Sequence, residues 1–179
     1  MLTPTVGVLE RNRAVSRVGE RALAVVRGDH RVDVYHSQWA GSVDRLVRVL
    51  ETPVDPVTTL AAADWQYRGR WPPGTLSRRI DALDIAVVYH VLASGVTVYL
   101  PVWLGFTRPG ERATRGVLVR IDTYEQCRCL RATLRFLKSV FHEAIGLDLL
   151  DSDTARDLLA LTLRTCCSPD RIHTPGTRL

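Results

Sequence analysis

The sequence predicts a single α+β domain in which helices pack on one face of an antiparallel sheet of about four strands. Apolar and polar residues alternate in two pairs of short segments, as they do in half-buried β-strands. Longer segments near the C-terminus repeat apolar residues every three or four positions, which is typical of helices that pack on a core. The 179 residues, 46% hydrophobic and 24% charged, have the size and composition of one globular domain.

The first two elements are a predicted β-hairpin. Residues 22–26 are an apolar run, a Gly-Asp turn signal follows, and residues 32–37 alternate apolar with polar side chains. Two such runs joined by a short turn are the sequence signature of a hairpin. In the second strand His36 shares the face of two valines, so His36 is expected to point toward the core and Ser37 to the other side.

Three helices are predicted between this hairpin and the next strands. Ser42 can cap a helix that ends near Glu51, because apolar residues recur at helical spacing after it. A short helix is expected over residues 58–65 and a Gly/Pro-rich loop over residues 68–74. Residues 76–93 are predicted to form a helix whose second half is mostly apolar and therefore buried on nearly all sides.

Strands and then helices follow toward the C-terminus. Strands are predicted over residues 96–103 and 117–121, and helices over residues 123–145 and 153–164, where apolar stripes recur at helical spacing. The complete order is β-β-α-α-α-β-β-α-α. Runs of strands separated by runs of helices favour an antiparallel sheet with helices on one face.

The predicted domain covers residues 21–167, between an N-terminal extension that is ordered only in part (residues 1–20) and a C-terminal tail (residues 168–179). The first residues do not resemble a signal peptide. The most apolar stretch, residues 83–104, is interrupted by polar residues and falls short of the roughly 18 apolar residues that a membrane helix needs. We therefore expect a soluble, cytoplasmic protein without a membrane partner.

The chain is basic, with a formal net charge of +5 and a pI near 9.4. This balance favours contact with nucleic acid or an acidic protein, and it is compatible with a homo-oligomer. Lys138 is the only lysine, and such a complete bias toward Arg is explained more simply by a GC-rich genome than by guanidinium chemistry. There is neither a glycine-rich phosphate loop nor a nucleophile elbow, and no cofactor is predicted.

Several short segments resemble an uncharacterised family of small haloarchaeal proteins. They are Arg21-Ala-Leu-Ala-Val-Val26, Val34-Tyr-His-Ser-Gln-Trp-Ala-Gly41, Leu83-Asp84, Tyr99-Leu-Pro-Val-Trp-Leu-Gly105 and Gly116-Val-Leu-Val119. The resemblance spans about residues 20–165, and its most specific part is Tyr-His-Ser-Gln-Trp. It implies an archaeal protein but no activity, ligand or catalytic residue. The basic charge departs from the acidic composition typical of haloarchaeal cytoplasmic proteins.

The junction after the second strand is a first candidate site, since polar and aromatic groups gather there on a loop. A small enzyme of unassigned reaction would use His36 and Ser37 with Trp39 beside them, and His90 if the fold brings it near. Because neighbours on a strand point to opposite faces, His36 and Ser37 cannot act together as base and nucleophile without a third residue. The competing interpretation, which we favour, is a hydrogen-bonded core histidine beside a packing tryptophan.

Four cysteines and a histidine are a second candidate. Zinc sites prefer Cys-x-x-Cys spacing, whereas this chain has Cys127-x-Cys129 and Cys166-Cys167, followed by His173. On a helix Cys127 and Cys129 would lie on opposite sides, about 100° being turned per residue, so both cannot bind one ion. We expect no metal site and interpret the thiols as small apolar residues.

A third candidate is a basic surface in which aromatic rings alternate with arginines. Such a surface can stack bases and hold phosphates, although the same composition also makes an ordinary cover loop. Its residues are Tyr35, Trp39, Trp65, Tyr67, Arg68, Arg70, Trp71, Arg78, Arg79, Arg108, Arg112 and Arg115.

The sequence does not establish a function. No complete catalytic constellation is present in it, so a non-catalytic binding or assembly module with a basic surface is the preferred hypothesis. The alternative remains the small enzyme with a site around His36, Ser37 and Trp39.

Overall fold

A seven-stranded mixed β-sheet carries helices on both of its faces. In the computed structural model, residues 21–27, 31–51, 64–72, 75–106 and 116–174 are described. The strands are β1 (Ala22–Arg27), β2 (Val32–Ser37), β3 (Gln66–Trp71), β4 (Val87–Leu92), β5 (Gly95–Trp103), β6 (Gly116–Ile121) and β7 (Ile172–His173). The α-helices are α1 (Val43–Glu51), α2 (Leu76–Arg79), α3 (Tyr124–Gly146) and α4 (Ser152–Cys166), and Pro169–Arg171 form a 3₁₀ turn.

The strands lie in the order β3-β2-β1-β4-β5-β6-β7. β1 and β4 are parallel, and every other neighbouring pair is antiparallel. The α+β class is confirmed, but the expected sheet of about four antiparallel strands and the expected element order are wrong. A parallel pair needs a long connection, which here is the chain between β1 and β4.

The largest error of sequence reasoning concerns residues 76–93. Instead of one helix, they form the four-residue α2, a turn, and the strand β4. β4 is buried along nearly its whole length, and a continuous apolar run is compatible with either a buried strand or a buried helix. Its content of β-branched and aromatic residues favours the strand.

β3 lies where a loop is predicted. Gly69 and the prolines that follow the strand favoured a loop over residues 68–74, yet Gln66–Trp71 pairs with β2. Glycine keeps its backbone N–H and C=O groups, so it can remain in a strand, where it often marks a bulge such as the register shift found here. The expected helix over residues 58–65 falls almost entirely outside the described residues.

The hairpin, the strands β5 and β6, and the two C-terminal helices are confirmed. At the start of α3, the side chain of Thr123 accepts the backbone N–H of Gln126. The side chain of Gln126 in turn accepts the backbone N–H of Thr123, which completes a capping box. Asp151 accepts the N–H groups of Asp153 and Thr154 at the start of α4 and is the N-cap of this helix. The residues after α4 add the short strand β7 to the sheet.

The two sheet faces have separate cores. On the helical face, Tyr89 and other inward residues of the sheet pack with Leu46 of α1, Leu130 of α3 and Leu159 of α4. On the second face, the sheet packs with Leu76 of α2 and with the residues that follow this helix. The expectation of helices on one face therefore holds for the three long helices, and α2 is the exception.

The described helices include none with the length and apolar character that a bilayer span requires.

Candidate nucleic-acid interface

The edge strand β3 presents aromatic and arginine side chains to solvent. Tyr67 lies opposite Tyr35 of β2, and the two ring centroids are 5.5 Å apart at 59°. Tyr67 is 56% exposed, so part of this ring pair is open to solvent. Within the described part of the chain, no strand pairs with the outer edge of β3. We call the surface formed by β2, β3 and the two arginines of α2, Arg78 and Arg79, the β2–β3 edge.

An ion pair fixes one arginine of this edge. Nε and Nη2 of Arg70 donate to the two carboxylate oxygens of Asp33 at 2.8 and 3.3 Å. These hydrogen bonds lower the pKa of Asp33 and raise that of Arg70. Oη of Tyr67 donates to the same carboxylate at 3.4 Å. Arg70 is thus well oriented, but its charge is partly compensated.

Two further arginines of the edge have no carboxylate partner among the described residues. Nη2 of Arg68 lies 3.3 Å from Nδ1 of His36. The guanidinium carbon of Arg79 lies 5.2 Å from the centroid of the Trp71 ring, within the range of a cation–π interaction. Arg78 is exposed on the same short helix as Arg79. Positive charge therefore lies beside rings on both sides of β3.

Gly69 allows the irregular backbone conformation of β3. Its φ is +126°, in a region that residues with a Cβ adopt only with strain. Beside it the register of β3 shifts, so that Val34 lies opposite Gly69 and Tyr35 opposite Tyr67, with Arg68 left over. A bulge of this kind changes the direction of neighbouring side chains.

The remaining predicted residues of the basic surface do not join the edge directly. Trp39 is 69% exposed in the turn after β2. Trp65 is half-buried and packs edge-to-face on the core residue Tyr89 at 6.2 Å, so its place is structural. Arg108, Arg112 and Arg115 lie outside the described residues.

The candidate catalytic residues are separated by the sheet. Oγ of Ser37 accepts the backbone N–H groups of Trp39 and Ala40, which closes the turn after β2. His36 and Ser37 point to opposite faces, as predicted. His36 and His90 are both buried on the second face, but β1 lies between their strands. Burial is the main cause that lowers the pKa of both histidines.

The cysteines follow the predicted pattern on α3. Cys127 is buried and Cys129 is exposed, with Sγ of Cys129 donating to Glu125 at 3.2 Å. Cys166 and Cys167 end α4, and the ring of His173 packs on Tyr99. In the described ranges no three His, Cys, Asp or Glu side chains are arranged to hold a metal ion.

Sequence reasoning did not identify Asp33 as part of this surface. The sequence pattern that could have predicted β3 lies in residues 66–71, where aromatic and charged side chains alternate as they do along an exposed strand. Once β3 is known to be a strand, Arg70 comes opposite Asp33 and Tyr67 opposite Tyr35.

Comparisons with models of protein families, with curated proteins and with solved structures found no match to this chain.

Proposed function

We propose that this chain is a non-catalytic module that binds single-stranded nucleic acid along the β2–β3 edge. The observation that carries the proposal is the ring pair Tyr35–Tyr67, in which Tyr67 is 56% exposed and shares the carboxylate of Asp33 with Arg70. Bases stack on exposed aromatic rings regardless of their sequence, and nearby guanidinium groups hold the phosphates.

The charge around the edge supports a polyanion as the ligand. Arg68, Arg78 and Arg79 have no carboxylate partner in the described part of the chain, whereas Arg70 has Asp33. The net charge of +5 favours the approach of any polyanion. An acidic protein would use the same charges, but it would have no need of stacked rings.

Binding of a fluorescein-labelled oligothymidylate of 12 nucleotides, followed by anisotropy at 50 mM salt, tests the proposal. Changing Arg68, Arg70, Arg78 and Arg79 to Ser should weaken binding at least 20-fold, because it removes the contacts to the phosphates. The matched control changes Arg120, Arg128, Arg156 and Arg164, four arginines on β6, α3 and α4 that do not belong to the edge, to Ser. It produces the same net charge and should weaken binding less than fivefold.

Two results would count against this function. Equal losses in the two quadruple variants would mean that only net charge matters. Absence of binding by the unchanged protein would favour an acidic protein as the partner. Circular dichroism establishes that each variant is folded.

An assembly role is supported by the outer surface of the helical pair. Phe136 and Val140 are exposed one turn apart on α3, Leu147 is exposed at the C-terminal cap of this helix, and Leu158 and Leu161 are exposed on α4. Exposed apolar side chains grouped in this way mark protein–protein contacts, and we infer that a second copy of the chain covers them. Sedimentation equilibrium should show a dimer that Phe136→Glu dissociates, while a monomeric unchanged protein would refute this inference.

A further inference from the structure

A cleft of about 440 Å³ lies between α3, the segment that precedes β4, and the end of β5. Its floor is apolar, and its volume is in the range of small-molecule sites. The apolar residues along it include Leu83, Ile85, Leu100, Val102, Trp103 and Leu134.

Three cations line this cleft. Arg131, Arg135 and Lys138 are spaced by four and three residues on α3, so they lie on one side of the helix. Nη2 of Arg131 donates to the carbonyl oxygen of Ala86 at 3.0 Å, and Nζ of Lys138 donates to that of Gly105 at 3.4 Å. Both groups thus have fixed positions, and neither forms an ion pair with a carboxylate among the described residues.

No acidic side chain lines the cleft within the described residues. The two acidic residues closest in sequence to this lining are Asp81 and Asp84 in the turn before β4, and both interact with other groups. Asp84 forms an ion pair with Arg21, and Asp81 accepts the backbone N–H of Leu83. Burial without a counter-charge lowers the pKa of Lys138 to about 8. An anion beside the amine would relieve that cost.

An unsatisfied donor belongs to the same wall. Nε1 of Trp103 is buried and has no hydrogen-bond partner in the described part of the chain. Buried indole N–H groups usually find an acceptor. The cleft therefore combines an apolar floor that includes Trp103 with three cations that form no ion pair among the described residues.

We propose that this cleft binds a small amphipathic carboxylate, with its head group at Lys138 and its hydrocarbon body on the floor beside Trp103. The proposal is independent of the nucleic-acid function. A neutral apolar molecule would leave the cations uncompensated, and a purely ionic one would leave the floor exposed to water. A molecule with one anionic end satisfies both parts of the cleft.

Titration calorimetry with decanoate and with decan-1-ol, both below their aggregation limits, separates the head group from the hydrocarbon chain. We expect decanoate to bind at least tenfold more tightly than decanol. Lys138→Met should remove this advantage, Lys138→Arg should retain most of it, and Arg156→Gln, a control on α4, should leave it unchanged. Trp103→Phe should weaken decanoate binding about threefold.

Acylation provides a second measurement that does not depend on the variants. Lys138 is the only lysine, so its modification by acetic anhydride is identified by peptide mass. Saturating decanoate should slow this modification at least fivefold, and decanol should not. Equal affinities for decanoate and decanol, or acylation unchanged by decanoate, would overturn the proposal, and neither result bears on binding at the β2–β3 edge.

Discussion

The β2–β3 edge and the α3 cleft are both basic, yet their charges lie in opposite surroundings. At the edge the guanidinium groups are exposed, and Arg70 has a carboxylate partner in Asp33. In the cleft Lys138 is half-buried, and no acid lines the site within the described residues. Net charge alone therefore does not indicate what a basic surface binds. Exposed, screened charges suit a polyanion, and a desolvated charge suits a single anionic group.

Salt should separate the two regions most strongly. If single-stranded nucleic acid contacts four arginines at the edge, the slope of log K against log salt is about −0.7 for each contact. Raising the salt from 50 to 200 mM should then weaken oligothymidylate binding about 50-fold. Decanoate, which forms one contact in a partly desolvated site, should lose less than threefold over this range.

Anisotropy and calorimetry on one preparation measure both quantities. The control is the quadruple variant of the edge, in which the oligothymidylate slope should fall toward zero while decanoate binding is unaffected. A steep salt dependence of decanoate would show that the cleft is an ordinary exposed basic patch.

Stacking of bases on aromatic rings should contribute to binding at the β2–β3 edge and not at the cleft. Tyr67→Ala removes the more exposed ring of the pair and should weaken oligothymidylate binding about tenfold, since one stacked base contributes about 1–3 kcal/mol. Tyr67→Phe keeps the ring and loses only the contact of the hydroxyl with Asp33, so it should bind nearly as the unchanged protein does. Equal losses in the two variants would mean that the hydroxyl, and not the ring, is what matters.

The sequence predicted the confirmed parts of the fold where a local pattern decides the structure. α3 has a capping residue and an apolar stripe, and the first hairpin has a turn signal between two alternating runs. β4 has no such local mark, because burial of both its faces removes the alternation.

The candidate sites were likewise predictable only where a local sequence pattern marks them. Tyr35 and the aromatic and arginine residues of β3 were recognised as a group, but the pairing of Tyr67 with Tyr35 and of Arg70 with Asp33 follows only from strand register. Lys138 was noticed only as the single lysine. Its cleft is formed by segments distant in sequence, and no local pattern encodes such an arrangement.

Measurements of Tm over a range of pH test whether the amine of Lys138 is desolvated in the cleft. The pKa of Lys138 is about 8 in the folded chain, against 10.5 for an exposed lysine. Between these values the unfolded chain binds more protons, so the free energy of unfolding rises with pH. From pH 7 to pH 10 the Tm of the unchanged protein should rise by about 2–4 °C relative to that of Lys138→Met, after allowance for partial exposure of the amine.

Scanning calorimetry of the two proteins at each pH measures this difference. Thiols and phenols titrate in both proteins, so their contributions cancel, and the guanidinium groups of Arg131 and Arg135 keep their charge throughout. Saturating decanoate should flatten the difference, because the bound anion keeps the amine protonated. Parallel Tm curves without ligand would show that Lys138 is as well solvated as an ordinary surface lysine.

The smallest expected effect comes from the single acid at the edge. Asp33→Asn removes the carboxylate that pairs with Arg70, so this guanidinium becomes available to a phosphate, and oligothymidylate should bind about two- to threefold more tightly. Asp122→Asn is the matched control, since Asp122 pairs with Arg120 and Arg171 away from the edge. Both variants raise the net charge by one, so equal gains would assign the effect to net charge. A gain confined to Asp33→Asn, with decanoate binding unchanged, would show that Asp33 limits how much of the charge at the edge reaches a ligand.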